Sequence, residues 1–167
     1  MASGISEKQF YILKKLIATP SDHTEVWRAV FKHKVVLGLG KRSREPAREY
    51  RCIKVIQRRK EEKESREFQQ ALVAQELAAY RALSEPGSRF LVKFHEVVKS
   101  TDSYNIVFEY VNGGTLYDLL EERNLLPIAE AKVLMSQIVD GLAVFQSKNL
   151  VHRDLKPNNI MLHFGNK

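Results

Sequence analysis

Residues 151–162 read Val151-His152-Arg153-Asp154-Leu155-Lys156-Pro157-Asn158-Asn159-Ile160-Met161-Leu162. His152, Arg153, Asp154, Lys156, Asn158 and Asn159 form a polar loop between apolar pieces at Val151 and at Ile160 to Leu162. Upstream of it, Pro127 opens a predicted helix that runs to about Gln146, since proline is tolerated in a first helical turn. Ile128, Ala131, Leu134, Met135, Ile138, Leu142 and Phe145 make an apolar stripe along it. Thr115 to Glu122 reads as a shorter helix, started after Asn112-Gly113-Gly114.

Before those glycines the pattern changes to strands. Phe10–Leu16, Val26–Phe31, Tyr50–Ile56, Phe90–Val98 and Tyr104–Tyr110 are the expected ones, with Asp102-Ser103 as the turn between the last two. Residues 18–25, ATPSDHTE, read as a polar, turn-rich connection. Residues 58–83 read as a helix that Pro86-Gly87 ends, charged in its first half. Its second half puts Phe68, Ala71, Leu72, Ala79 and Leu83 roughly on one face. The order is strands with one helix, a Gly-Gly hinge, then helices. No internal repeat is visible.

The loop at 152–159 resembles the catalytic loop of the eukaryotic protein kinases, H-R-D-L-K-x-x-N, with every key letter present. Lys156, two residues after Asp154, resembles the Ser/Thr-directed branch. The resemblance implies an α+β fold of the protein kinase type: a five-stranded antiparallel small lobe with one main helix, followed by the first helices of the large lobe. It implies transfer of the γ-phosphate of ATP to Ser or Thr hydroxyls of a protein substrate, with Mg²⁺ or Mn²⁺. Asp154 would orient the substrate hydroxyl and accept its proton, and Lys156 would neutralise charge on the transferring phosphoryl group. Asn159 would bind the metal ion. His152 and Arg153 resemble the family's scaffold and regulatory positions.

Other segments extend the resemblance. Cys52-Ile53-Lys54 is similar to the family's A-I-K strand, so Lys54 would meet the α- and β-phosphates and Cys52 would line the roof of the adenine pocket. Glu76 is the expected acidic partner of Lys54. It stands among small apolar residues, where an isolated carboxylate is costly, whereas Glu64 and Glu67 lie in the charged half of the helix. Ile106 to Leu116 resembles the strand and hinge between the lobes. Phe108 would close the back of the adenine pocket, and backbone groups of Glu109 and Val111 would bond the adenine edge. Val26 and Leu162 resemble the apolar roof and floor. Asp118 is expected to be an ordinary helix-surface acid rather than a ribose contact.

The sequence departs from the family in two places. The phosphate-covering loop is expected to be poor: Thr19, Ser21 and Thr24 stand where its glycines belong, and residues 17–25 contain none. Only glycine reaches the dihedrals that loop uses freely, and Asp22 and Glu25 add negative charge. The family's Asp-Phe-Gly is also missing. His163-Phe164-Gly165 follows Asp154 too closely to stand for it and reads as a turn between strands. The 167 residues alone are therefore expected to be catalytically silent, a truncated domain, and the alternative reading is a pseudokinase-like nucleotide-binding or scaffold module. The expected divisions are a disordered tail at 1–9, a small lobe at 10–111 with a basic loop insertion at 32–49, and a hinge exit with partial large lobe at 112–167.

Composition fits an ordinary globular domain, with 44% hydrophobic and 28% charged residues. No apolar run approaches the roughly 20 residues of a membrane span, and no secretory signal is read at the N-terminus. Cys52 is the one cysteine, which fits a reducing compartment. Cytoplasm or nucleus is the expected location. Residues 41–60 hold nine basic and two acidic side chains. The stretch reads as a solvated loop flanking a strand, with an acidic macromolecule as its possible partner; nucleic acid is not expected.

Overall fold

The computed structural model describes residues 11–31, 49–58, 63–84 and 88–164. Five strands pair antiparallel: β1 (Tyr11–Ser21), β2 (Thr24–Phe31), β3 (Tyr50–Gln57), β4 (Phe94–Lys99) and β5 (Ser103–Glu109), in the spatial order β1-β2-β3-β5-β4. Helix α1 (Lys63–Leu83) falls between β3 and β4 in sequence, and α2 (Leu116–Arg123) and α3 (Ile128–Ser147) follow the sheet. A single 3₁₀ turn, Pro157–Asn159, lies in the polar loop. These residues form two compact units. One holds the chain up to Gln70 together with Phe94–Tyr110, and the other holds Ala71–Lys93 together with the chain from Val111 onward.

In the first unit the sheet sorts its side chains by the two-residue period of a strand. Trp27 pairs with Ile53 and Ile53 with Val107, so these residues share a face. Ala29, Ile53, Val55, Val98 and Val107 form a buried cluster there, with Tyr11 and Trp27 packed against it. The alternate residues go to the opposite face.

The largest differences from the sequence reading are at the end of β1 and the starts of α1 and β4. β1 does not end at Leu16. It continues to Ser21 and pairs back, Ala18 with Val26 and Ser21 with Thr24, which leaves Asp22-His23 as the turn. β1 is an edge strand, where a proline such as Pro20 is tolerated. The carbonyl of His23 accepts the Gln57 N–H at 2.8 Å and fixes the hairpin tip to β3.

α1 begins at Lys63 rather than 58, because Arg58 continues the extended chain and donates its N–H to the Asp102 carbonyl at 2.8 Å. Its expected apolar face is also not the covered one. Phe68 is 67% exposed and Leu72 is 49% exposed, while Val73 and Leu77 are buried and Glu76 and Tyr80 half-buried. The second half of α1 carries apolar residues on more than one side, and the 73-76-77-80 stripe is the one that packs.

β4 begins at Phe94 rather than Phe90. Residues 88–91 turn instead, with the Leu91 N–H donated to the Ser88 carbonyl. Phe90 packs on Gly141 of α3 in the second unit, where a Cβ on the glycine would stand 3.4 Å from the Phe90 carbonyl oxygen.

In the second unit, α2 is started by a capping box. Thr115 Oγ1 accepts the Asp118 N–H, while the Asp118 carboxylate accepts from the Thr115 backbone and hydroxyl at 2.8 Å each. This satisfies N-terminal donors of α2 and makes Asp118 a capping acid. On α3, Leu134, Ile138, Leu142 and Phe145 are half-buried, whereas Ile128, Met135, Val133 and Val139 stay exposed. Ile128 and Met135 therefore drop out of the stripe read from sequence.

A short backbone ribbon joins the glycine segment to the end of the polar loop. Gly113 donates to Leu162 (2.8 Å), Leu162 to Gly114 (2.9 Å) and Leu116 to Ile160 (2.8 Å). The Asn112 amide exchanges two hydrogen bonds with the Phe164 backbone. A Cβ at Gly113 would lie 2.2 Å from the Leu162 carbonyl oxygen. Gly113→Ala is therefore expected to lower stability by about 1–3 kcal/mol, read as a lower urea midpoint. An unchanged midpoint would show that the ribbon yields freely. The expected tail at 1–9, residues 32–48 of the expected insertion, and 165–167 of the expected final turn lie outside the described residues.

Candidate functional site

In the first unit, β2, β3 and β5 bring four of the expected nucleotide-binding residues to one face of the sheet. Val26 is the register partner of Lys54, and Cys52 is the register partner of Phe108. Cys52 and Lys54 are two residues apart on β3, so all four project to the side opposite the buried cluster. Phe108 meets Phe94 edge to face, with ring centroids 6.1 Å apart. Burial pushes the Cys52 thiol up to about 11, so it stays protonated and behaves as a small apolar group. Glu109 ends β5.

In the second unit, Glu76 accepts a hydrogen bond from the Tyr80 hydroxyl one helical turn on. Burial, with the Glu76 carboxylate next to it, raises the Tyr80 phenol well above its ordinary value, so it remains a donor. Sequence reasoning missed Tyr80; its signal is the four-residue spacing in Glu76-Leu77-Ala78-Ala79-Tyr80. Val111 and Leu162 also lie in this unit, Leu162 held by the ribbon.

The polar loop of the second unit is built around Asp154. His152 packs against Phe145 of α3, with ring centroids 5.3 Å apart, and its Nδ1 accepts the Asp154 N–H at 3.3 Å. Arg153 takes a left-handed conformation, φ 66°, a strain that non-glycine residues carry only where the surroundings impose it. The 3₁₀ turn, closed by the Asn159 N–H on the Lys156 carbonyl at 2.9 Å, returns Asn159 to Asp154. Asn159 Nδ2 donates to the Asp154 carbonyl (2.7 Å) and to Asp154 Oδ2 (2.9 Å). Lys156 Nζ stands 2.9 Å from the same Oδ2. The amide nitrogen of Asn159 is thus engaged, and its carbonyl oxygen is the atom left to offer a hard cation.

The hydrogen bond from Lys156, and after it that from Asn159, holds the Asp154 carboxyl below its usual range. A carboxylate whose folded-state pKa is depressed contributes to stability above its unfolded value, about 3.9. It loses that contribution as pH falls through the folded value. Asp154 is therefore ionised throughout the neutral range, as a proton acceptor must be. Lys156→Met is expected to raise its pKa, measured by NMR titration of the side-chain carboxyl. An unmoved titration would show that the ion pair does not form in solution.

The protein kinase domain profile matches residues 37–167. The chain belongs to the eukaryotic Ser/Thr protein kinase family. Its sheet is the kinase small lobe and its later helices the opening of the helical lobe. The fission yeast Ser/Thr-protein kinase cds1 is 30% identical to it over 161 residues, 89% of this chain and 32% of that protein. Mouse Ser/Thr-protein kinase DCLK3 is 35% identical over 91 residues, 54% of this chain and 11% of that protein. Rice CBL-interacting protein kinase 21 is 34% identical over 90 residues, 54% and 17% of the two chains. The kinase segment spans about a third or less of the length of these relatives.

One part of this kinase site is unlike the loop the family pattern describes. Where the pattern places glycines, β1 and β2 form a paired hairpin with Thr19, Ser21 and Thr24 in it. Glu25 accepts the Trp27 indole N–H at 2.9 Å. The register shifts between Ala18 and Ser21, and residues 17–25 contain no glycine, the residue that most freely adopts the backbone of a phosphate-binding nest.

Proposed function

We propose that the protein is an ATP-dependent Ser/Thr kinase in which Asp154 receives the proton of a substrate Ser or Thr hydroxyl. The arrangement of Asp154, Lys156 and Asn159 carries this reading. It combines an ionised, solvent-facing carboxylate with an ammonium 2.9 Å away and an amide that orients the carboxylate. Asp154 aligns the hydroxyl. Lys156 stabilises negative charge on the phosphoryl group passing to it. Lys54 holds the nucleotide phosphates, and Glu76, steadied by Tyr80, is the acid that keeps Lys54 in place for transfer. Val26, Cys52, Phe108 and Leu162 supply the apolar surface for the adenine, and the backbones of Glu109 and Val111 its hydrogen bonds. The Asn159 carbonyl oxygen is the ligand these residues offer to Mg²⁺ or Mn²⁺, which when bound neutralises phosphate charge.

A second reading, a pseudokinase-like nucleotide-binding or scaffold module, is favoured by the glycine-free hairpin. The two are separated by γ-phosphate transfer from labelled ATP to a Ser/Thr-containing protein. A form that joins these residues to an Asp-Phe-Gly segment is expected to transfer; nucleotide binding without transfer would favour the scaffold reading. Residues 1–167 alone are expected to be silent and to bind Mg-ATP weakly, and measurable turnover by them would overturn that expectation. We place the kinase inside the cell, in cytoplasm or nucleus. The basic stretch at 41–60 is assigned to an acidic partner. No described helix is long and apolar enough to cross a membrane.

A further inference from the structure

The first unit contains a cavity of about 250 Å³ away from Lys54, with Arg58, Arg66, Gln69, Thr101, Asp102 and Tyr104 in its wall. We propose that it is a binding site for a phosphate monoester. Arg58, the last described residue of the basic stretch, lays its guanidinium over the buried Tyr104 ring, with Cζ 4.5 Å from the centroid. Stacking of this kind holds the planar fork in one orientation. The Arg58 Nε is buried without a hydrogen-bond partner, a donor of the kind that native interiors rarely leave unmatched.

Arg66 stands on the first turns of α1, one turn before Gln69. Gln69 ties the helix to β3 by donating to the Gln57 carbonyl at 2.9 Å. Among the described residues neither arginine forms a salt bridge. Asp102 supplies the one carboxylate of the wall, and its backbone carbonyl already holds the Arg58 N–H. Two guanidinium groups against one carboxylate, in a wall that also includes Thr101, suit a dianion with three terminal oxygens. A carboxylate would have to divide its two oxygens between the two forks, whereas a phosphate monoester offers three. The inference does not depend on the proposed phosphoryl transfer.

Isothermal titration of the protein with inorganic phosphate, and separately with doubly blocked phosphoserine, at fixed ionic strength tests it. Saturable one-site binding is expected, equal in Lys54→Met and Lys156→Met and weakened about tenfold or more by Arg66→Gln. Arg66 is exposed, so that variant keeps its fold; Arg58→Gln is expected to weaken binding likewise. Tighter binding of blocked phosphoserine would identify a phosphorylated side chain as the source, equal binding a free phosphate, and both support the site. Absence of saturable binding, full retention in Arg66→Gln, or loss in Lys54→Met or Lys156→Met would overturn it.

Discussion

Asp154→Asn is expected to lower phosphoryl transfer by about 10²-fold or more in any form of the protein that transfers phosphate. The amide keeps the size of the side chain but neither carries the negative charge nor accepts a proton. Its loss should appear in turnover rather than in nucleotide affinity, because Asp154 is assigned to the hydroxyl and not to ATP. The 3₁₀ turn should survive, since Asn159 also bonds the Asp154 backbone carbonyl, and far-UV circular dichroism would check that. Transfer by the variant equal to that of the parent would remove Asp154 from the role of base.

Lys54→Met is expected to have an effect of similar size, about 10²-fold or more in transfer, together with weaker Mg-ATP binding. Methionine fills much the same space at the centre of the sheet, between Val26 on β2 and Ile106 on β5, so the unfolding midpoint should move little. Glu76→Gln should reproduce part of the loss if that carboxylate steadies Lys54. A Lys54→Met protein that transferred phosphate normally would refute the assignment, and one that unfolded would show that the lysine is structural.

The polar loop was legible because it is local. H-R-D-L-K-x-x-N packs its functional groups into eight consecutive residues, and the structure closes them into one hydrogen-bonded cluster. The sheet was legible in its strand count because β-branched and aromatic runs mark it. The hairpin was not, since ATPSDHTE has turn composition throughout, and only pairing across an edge makes most of it strand. The packed side of α1 was misread for a related reason. Phe68 and Leu72 are the larger apolar residues, but tertiary contact, not side-chain size, decides which stripe of a many-sided apolar helix is covered. Tyr80 on Glu76 and the steric demand at Gly113 depend on neighbours that spacing alone does not reveal.

The chain leaves the ribbon at Leu116 and returns to it at Ile160. Everything between, α2, α3 and the loop that holds Asp154, is a closed excursion from one small clasp. The entropy lost in closing such an excursion grows only with the logarithm of its length. Extra residues in the turn between α2 and α3, around Asn124 to Leu126, therefore add little to the cost of bringing the clasp together. A residue added inside the clasp shifts the register of its backbone bonds and moves Asp154 with it. The kinase can lengthen at the far end of this excursion while Asp154 stays where it is.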